Sequence, residues 1–147
     1  MCTDLDGDNE NYEFGEYVSI TSDGNRVAIA GSRNDTNGIN AGHVKVFDWD
    51  GTSWNAVGSP ILGDNANDLF GFRGVHLSGD GNSIAIPSFR AGYIYVYDWN
   101  GKVWKKRAGS FSISPEPNGA NNQFPGQVYL SMNGNRIVFG SISEGAR

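Results

Sequence analysis

The stretch Val18-Ser19-Ile20-Thr21-Ser22-Asp23-Gly24-Asn25 decides the fold, because it occurs three times. It returns as Val75-His76-Leu77-Ser78-Gly79-Asp80-Gly81-Asn82 and as Val128-Tyr129-Leu130-Ser131-Met132-Asn133-Gly134-Asn135, at offsets of 57 and 53 residues. A Phe precedes each copy, in Phe14-Gly15, Phe70-Gly71 and Phe124-Pro125. A strand-like run follows each one: Arg26 to Ala30, Ser83 to Ile86, Arg136 to Phe139. Asp-Gly and Asn-Gly supply the positive φ angles that a tight hairpin turn requires. Each copy therefore reads as a β-hairpin.

A second unit occurs twice. Gly42-His43-Val44-Lys45-Val46-Phe47-Asp48-Trp49-Asp50-Gly51-Thr52-Ser53-Trp54 matches Gly92-Tyr93-Ile94-Tyr95-Val96-Tyr97-Asp98-Trp99-Asn100-Gly101-Lys102-Val103-Trp104, at an offset of 50. It also reads as a hairpin, with Asp50-Gly51 and Asn100-Gly101 as two-residue turns. That register sets Trp49 opposite Thr52, Phe47 opposite Trp54 and Tyr97 opposite Trp104. A cross-strand aromatic pair is worth about 0.2–1 kcal/mol, and its repetition points to architecture.

Two hairpins per period make four antiparallel strands per repeat, the pattern of a propeller blade. Gly, Asn and Pro interrupt every window in which a helix would form. Along the second unit, His43, Lys45 and Phe47 alternate with Val44, Val46 and Asp48, and Tyr93, Tyr95 and Tyr97 with Ile94, Val96 and Asp98. Two largely apolar or aromatic faces suit blades stacked between neighbours. The expected fold is all-β, with antiparallel four-stranded blades of a β-propeller. Blade 1 spans about 12–62, blade 2 about 68–113, and the start of blade 3 about 122–147. This is about two and a half blades, where a closed propeller has about four to eight. Three explanations follow: a fragment of a longer protein, a chain completed by its own copies or by partners, or an open stack docked in a larger complex.

Composition narrows the function. The 147 residues include 21 Gly, 38% are hydrophobic and only 18% charged, which suits short strands and turns better than a bundle or a disordered tail. A net charge of −5 leaves no basic footprint for nucleic acid. No apolar run is long enough to span a membrane, and the acidic start lacks the layout of a signal peptide. The single cysteine, Cys2, cannot close an internal disulfide.

The repeated pattern of Phe-Gly, Val-x-Leu-Ser-x-Asp-Gly-Asn and Gly-x-Val-x-Val-Tyr-Asp-Trp-x-Gly-x-x-Trp resembles the FG-GAP-like β-propeller repeats. These are similar to the blades of the integrin-α head and of large surface or secreted proteins. The Asp-Trp dipeptides precede a turn and lack the Gly-His partner of WD40 repeats, and Kelch-type repeats are the structural rival. The resemblance implies a non-enzymatic scaffold for protein or glycan contacts, or a structural subunit, in an extracellular or cell-surface setting. The alternatives are a calcium-dependent adhesion module and part of a propeller enzyme.

Candidate sites follow from residue chemistry. Asp4, Asp6 and Asp8 space carboxylates around Gly7 and resemble a calcium loop, since Ca²⁺ takes six to eight oxygens. Gly7 arrives early, and no bidentate acid follows at the expected distance. The matching segments Gly63-Asp64-Asn65-Ala66-Asn67 and Asn118-Gly119-Ala120-Asn121 keep the turn residue but lose most acids, so the shared element reads as an Asx turn. Trp49, Trp54, Trp99 and Trp104, with Tyr93, Tyr95 and Tyr97, offer aromatic faces for a glycan, although equivalent sites in both repeats suit packing. His43 and His76 have no repeated partners, and no nucleophile motif is present. Asn34-Asp35-Thr36 is an N-glycosylation sequon. Lys102, Lys105, Lys106 and Arg107 stand out against an acidic chain and suit an acidic partner, although a solvated edge strand is the favoured reading. The loops Ser32 to Ala41 and Pro115 to Gln123 are the expected contact surface, since binding residues concentrate on loops held by a rigid scaffold.

Overall fold

A computed structural model describes residues 4–113 and 123–143. Cys2, the 115–122 part of the second loop and the segment Asn118-Gly119-Ala120-Asn121 lie outside the described residues. The strands are β1 (Phe14–Ile20), β2 (Arg26–Gly31), β3 (His43–Trp49), β4 (Trp54–Ala56), β5 (Ile61–Leu62), β6 (His76–Leu77), β7 (Ser83–Ser88), β8 (Tyr93–Trp99), β9 (Trp104–Lys106), β10 (Phe111–Ser112), β11 (Gln123–Leu130) and β12 (Ile137–Ser143). Among the described residues the helical content is one 3₁₀ turn, Glu10–Tyr12, and no helix is long and apolar enough to cross a membrane.

The first sheet runs β1-β2-β3-β4, with β5 also on β3. The second runs β6-β7-β8-β9, with β10 also on β8, and the third is β11-β12. All these pairs are antiparallel. The outer strand of each of the first two sheets is split. A step around Gly58 (φ 73°) and Pro60 separates β4 from β5, and one around Gly109 (φ 90°) separates β9 from β10.

The three repeated turns share one hydrogen-bond design. Asp23 Oδ1 accepts from Thr21 Oγ1 at 2.6 Å and from Asn25 N at 3.0 Å, and Thr21 Oγ1 accepts from Arg26 N at 3.0 Å. Asp80 repeats this with Ser78, Asn82 and Ser83, and Asn133 with Ser131, Asn135 and Arg136. The motif thus spends its polar side chains on its own backbone. Gly24, Gly81 and Gly134 take φ of 75°, 73° and 66° there.

The second hairpin departs from the expected register. Trp49 pairs with Trp54 and Phe47 with Ala56, and in the second copy Trp99 pairs with Trp104 and Tyr97 with Lys106. The cause is the side chain of Asp50, whose Oδ1 accepts from the backbone N of both Thr52 and Ser53 at 2.8 Å. Asn100 does the same for Lys102 and Val103. This Asx cap spreads the turn over four residues, and the tryptophans become partners with ring centroids 5.4 and 5.3 Å apart.

The core lies between sheets. Ala28, Ala30, Val44 and Val46 of the first sheet pack with Val75, Leu77, Ile84 and Ile86 of the second. Ala85, Ile94 and Val96, on the opposite face of the second sheet, pack with Val128 and Leu130 of the third. The period-2 alternation of the second sheet's strands therefore feeds two different interfaces. Phe70 is buried between the first two sheets, bridging Gly42 and Ser88.

Candidate functional site

Two joints hold the sheets together, and they are built alike. In the first, Ser19 Oγ accepts from Leu77 N at 3.0 Å. In the second, His76, at the position equivalent to Ser19, accepts from Leu130 N through Nδ1 at 3.1 Å. The turns also touch: Ser22 N donates to Gly79 O at 3.1 Å, and Asp80 N to Met132 O at 2.9 Å. An arginine completes each joint. Arg26 donates to Asp48 from Nε at 2.6 Å and from Nη2 at 2.7 Å, then reaches Gly81 O at 2.8 Å. Arg107 binds Asp98 in the same forked way and reaches Gly134 O at 3.0 Å. The charge-assisted fork adds geometry as well as energy.

Arg26 and Arg107 come from different places in the repeat. The counterpart of Arg26 in the second sheet is Ser83, whose small side chain leaves room, and Arg107, directly after β9, takes the role instead. Ser83 Oγ joins the cluster by donating to Asp98 at 2.8 Å. A second pair shows the same exchange. Asp8 is held by Lys45 from β3 at 2.7 Å, while its counterpart Asp64 is held by Lys106 from β9 at 2.8 Å. Lys106 also sits 3.9 Å above the Tyr95 ring, a cation–π contact. Lys106 and Arg107 are therefore tied into the fold rather than left on a solvated edge.

The acidic start does not gather as a metal set. Asp8 faces Lys45, which holds its carboxyl below the usual range. Asp4 and Asp6 line a cleft of about 320 Å³ with Leu5, Lys45 and Phe47. Among the described residues no three His, Cys, Asp or Glu side chains come together in a way that would hold a metal ion. Segment 4–14 covers the outer half of the first sheet's free face, with Phe14 edge-on to His43 at 5.7 Å.

The tryptophans divide by place. Trp104 Nε1 donates to Val57 O of the first sheet at 3.0 Å, and Trp99 and Trp104 pack against the core. Trp49 borders a polar cleft of about 390 Å³ at the first joint with Asp23, Asn25, Arg26, Asp48 and Asp80. Asp23 is held down to about 2 by hydrogen bonds from Thr21 and Asn25. Aromatic and amide groups converge instead at Tyr93 and Tyr95, whose rings stack 6.0 Å apart beside Asn65, Asn67 and Arg90. In the sequence these tyrosines are only part of a larger aromatic set.

His43 is 1% exposed and its Nε2 has no hydrogen-bond partner among the described residues. Burial, with Lys45 nearby, lowers its pKa from 6.5 to about 4. The sequon's Asn34 is also buried, at 1% exposure, and its Oδ1 accepts from Thr36 N at 2.9 Å. In the folded chain this residue is closed to glycosylation. The loop Ser32 to Ala41 is otherwise fastened to the connector after β5, through Asn67 N to Ile39 O at 2.7 Å and Leu69 N to Asn40 O at 3.1 Å. Ile39 stands out from it, 67% exposed.

The two ends of the stack are open. At one end Val18 and Ile20 are 66% and 60% exposed. At the other, Tyr129 and Val138 are 48% and 65% exposed.

No family model matches the sequence, and no curated protein matches it. Among solved structures, a chain in the complex of KlAtg21 with the coiled-coil of AgAtg16 is similar in fold, with a TM-score of 0.59 and 15% identity. The match covers 84% of this chain and 36% of that one. This chain thus spans about a third of that structure's chain, and at this identity the likeness is one of fold.

Proposed function

We propose that the chain is a run of about two and a half β-propeller blades that serves as a non-enzymatic scaffold for protein contacts. The observation that carries this reading is the repetition of one joint between successive sheets, with a joint-forming face left bare at each end. Rigid stacked sheets that present loops and open faces are suited to binding. The similarity in fold to a chain of the KlAtg21 complex supports the propeller architecture, and that protein is there bound to a coiled-coil. The FG-GAP-like character is supported by the Phe-Gly elements. Phe70 fills the first interface, and a side chain at Gly71 would stand 2.9 Å from Ala30 Cβ.

The test is a photo-crosslinking residue in place of Ile39, with the protein expressed in its own cells. The reading expects covalent adducts with a distinct protein. An uncrosslinked chain, or catalytic turnover by the purified chain, overturns it.

The tyrosine cleft favours a second reading, glycan contact. Tyr93 and Tyr95 offer stacked ring faces with amide groups of Asn65 and Asn67 beside them, a combination of apolar face and polar handle that suits a sugar ring. A glycan array probed with the chain and with Tyr93→Ala tests it: signal lost in the variant supports the reading, and no signal from the parent removes it.

A further inference from the structure

We propose that the bare face of the first sheet receives the bare face of the third sheet of a second copy of this chain, in a head-to-tail joint. This rests on the scaffold reading and names one of its partners. The joint would be a third instance of an interface the chain already makes twice, matched position by position.

On the receiving side, Val18 and Ile20 are 66% and 60% exposed. Their counterparts Val75 and Leu77 are 6% and 1% exposed beneath the first sheet, and Val128 and Leu130 are 4% and 8% exposed beneath the second. On the donating side, Val138 is 65% exposed. Its counterparts Ala28 and Ala85 are both 0% exposed, each facing the following sheet. Each end thus shows the half of the joint that the other end lacks.

The polar parts continue the series. The acceptor position filled by Ser19 and then His76 is held next by Tyr129, whose hydroxyl donates to Gln127 at 2.9 Å and leaves its oxygen able to accept. The position of Arg26 is held next by Arg136, an exposed guanidinium. Against a second copy, Arg136 would meet Gly24 O as Arg26 meets Gly81 O.

The shapes also agree. Segment 4–14 covers the outer half of the first sheet's face, through Asp8 on Lys45 and Phe14 on His43. Only the inner half is bare. Val18 and Ile20 of β1 lie in that inner half, and the third sheet presents Tyr129 and Val138 of β11-β12. A joint between two different faces is heterologous, so it builds a ring if it closes and a filament if it does not.

Analytical ultracentrifugation of the full chain over a concentration series tests this. The parent is expected to rise above 15.9 kDa with concentration. Val18→Asp and Val138→Asp, both at exposed positions, should each remain monomeric while keeping the parent's circular dichroism and melting temperature. An equimolar mixture of the two variants should return a 1:1 dimer and nothing larger, since one intact face survives on each. Ile20→Ser and Arg136→Glu provide a second such pair should an Asp variant unfold. A monomeric parent overturns the proposal, as does assembly that survives the substitutions, or a mixture that stays monomeric. Those results leave the Ile39 crosslinking test untouched, so failure of the joint and failure of the scaffold reading are separable.

Discussion

The guanidinium of Arg26 crosses from the first sheet to the carbonyl oxygen of Gly81 in the second, 2.8 Å away, while still gripping Asp48 in its own sheet. One side chain therefore fixes both the end of a hairpin and the position of its neighbour. Arg26→Met keeps much of the stem but strips the charge, leaving Asp48 and Gly81 O without their donor. Urea unfolding should show a loss of about 1–3 kcal/mol. Adding Asp48→Asn to Arg26→Met should recover part of it, because the unpaired carboxylate is gone. Full additivity of the two substitutions would mean that the fork is not a unit.

The turn glycines give a graded prediction. Ala at Gly24 or Gly81 must adopt a positive φ, at a cost of about 1–2 kcal/mol. At Gly24 the new Cβ meets nothing within 4 Å. At Gly81 it stands 2.9 Å from Thr21 Cγ2 and 3.1 Å from Arg26 Cδ. Gly81→Ala should therefore lower the melting temperature more than Gly24→Ala, and equal losses would place Arg26 away from this turn.

Stability should fall with acidification below pH 6.5. Burial depresses His43 to about 4 and also lowers His76. Because both are lowered in the folded chain, the unfolded chain takes up protons first as the pH drops through 6.5, so stability present above that pH is lost below it. For His43 the window runs from pH 6.5 to about 4, and the loss is about 3 kcal/mol. Glu16, raised by burial, works the other way near its own range. The hydrogen bond to Leu130 N adds a specific reason at His76, because protonated Nδ1 no longer accepts. Urea melts at pH 7.5, 5.5 and 4.5 should show the slope flatten in His43→Leu.

Trp104 and Trp54 are sequence equivalents with unequal duties. Trp104 Nε1 donates to Val57 O across the first joint, while Trp54 pairs with Trp49 on the first sheet. Trp104→Phe should cost about 1 kcal/mol for the lost bond, and Trp54→Phe less. Fluorescence-monitored unfolding of both variants reads the difference.

Much of this was legible in the sequence. The Asp-Gly and Asn-Gly dipeptides located the turns, and alternation along β3 and β8 gave strands with two apolar faces. The register of the second hairpin was not legible, because the dipeptide indicates a two-residue turn while the Asp50 side chain caps a four-residue one. The cation exchanges were hidden for a different reason. Comparing repeats looks for the same residue at the same position, whereas Arg107 does the work of Arg26 from another place in the repeat and Lys106 that of Lys45. The polarity of Lys106 and Arg107 suggested water, and only their three-dimensional reach to Asp64 and Gly134 shows otherwise. At the candidate site, the tryptophans stand out as repeated aromatic faces suited to a sugar ring, but the convergence of Tyr93, Tyr95 and Arg90 depends on a loop arrangement that spacing does not encode.

The split outer strands have a consequence for how this molecule avoids harm. An edge strand with a continuous row of free amide and carbonyl groups is a template for amyloid-like growth. Here an incoming strand would find three residues in line at Trp54–Ala56, a step at Gly58 and a proline with no amide hydrogen at Pro60, then two more residues at Ile61–Leu62. The second sheet interrupts its rim in the same way around Gly109. Sideways extension of the first two sheets is blocked at the rim, which leaves them the direction in which the sheets stack.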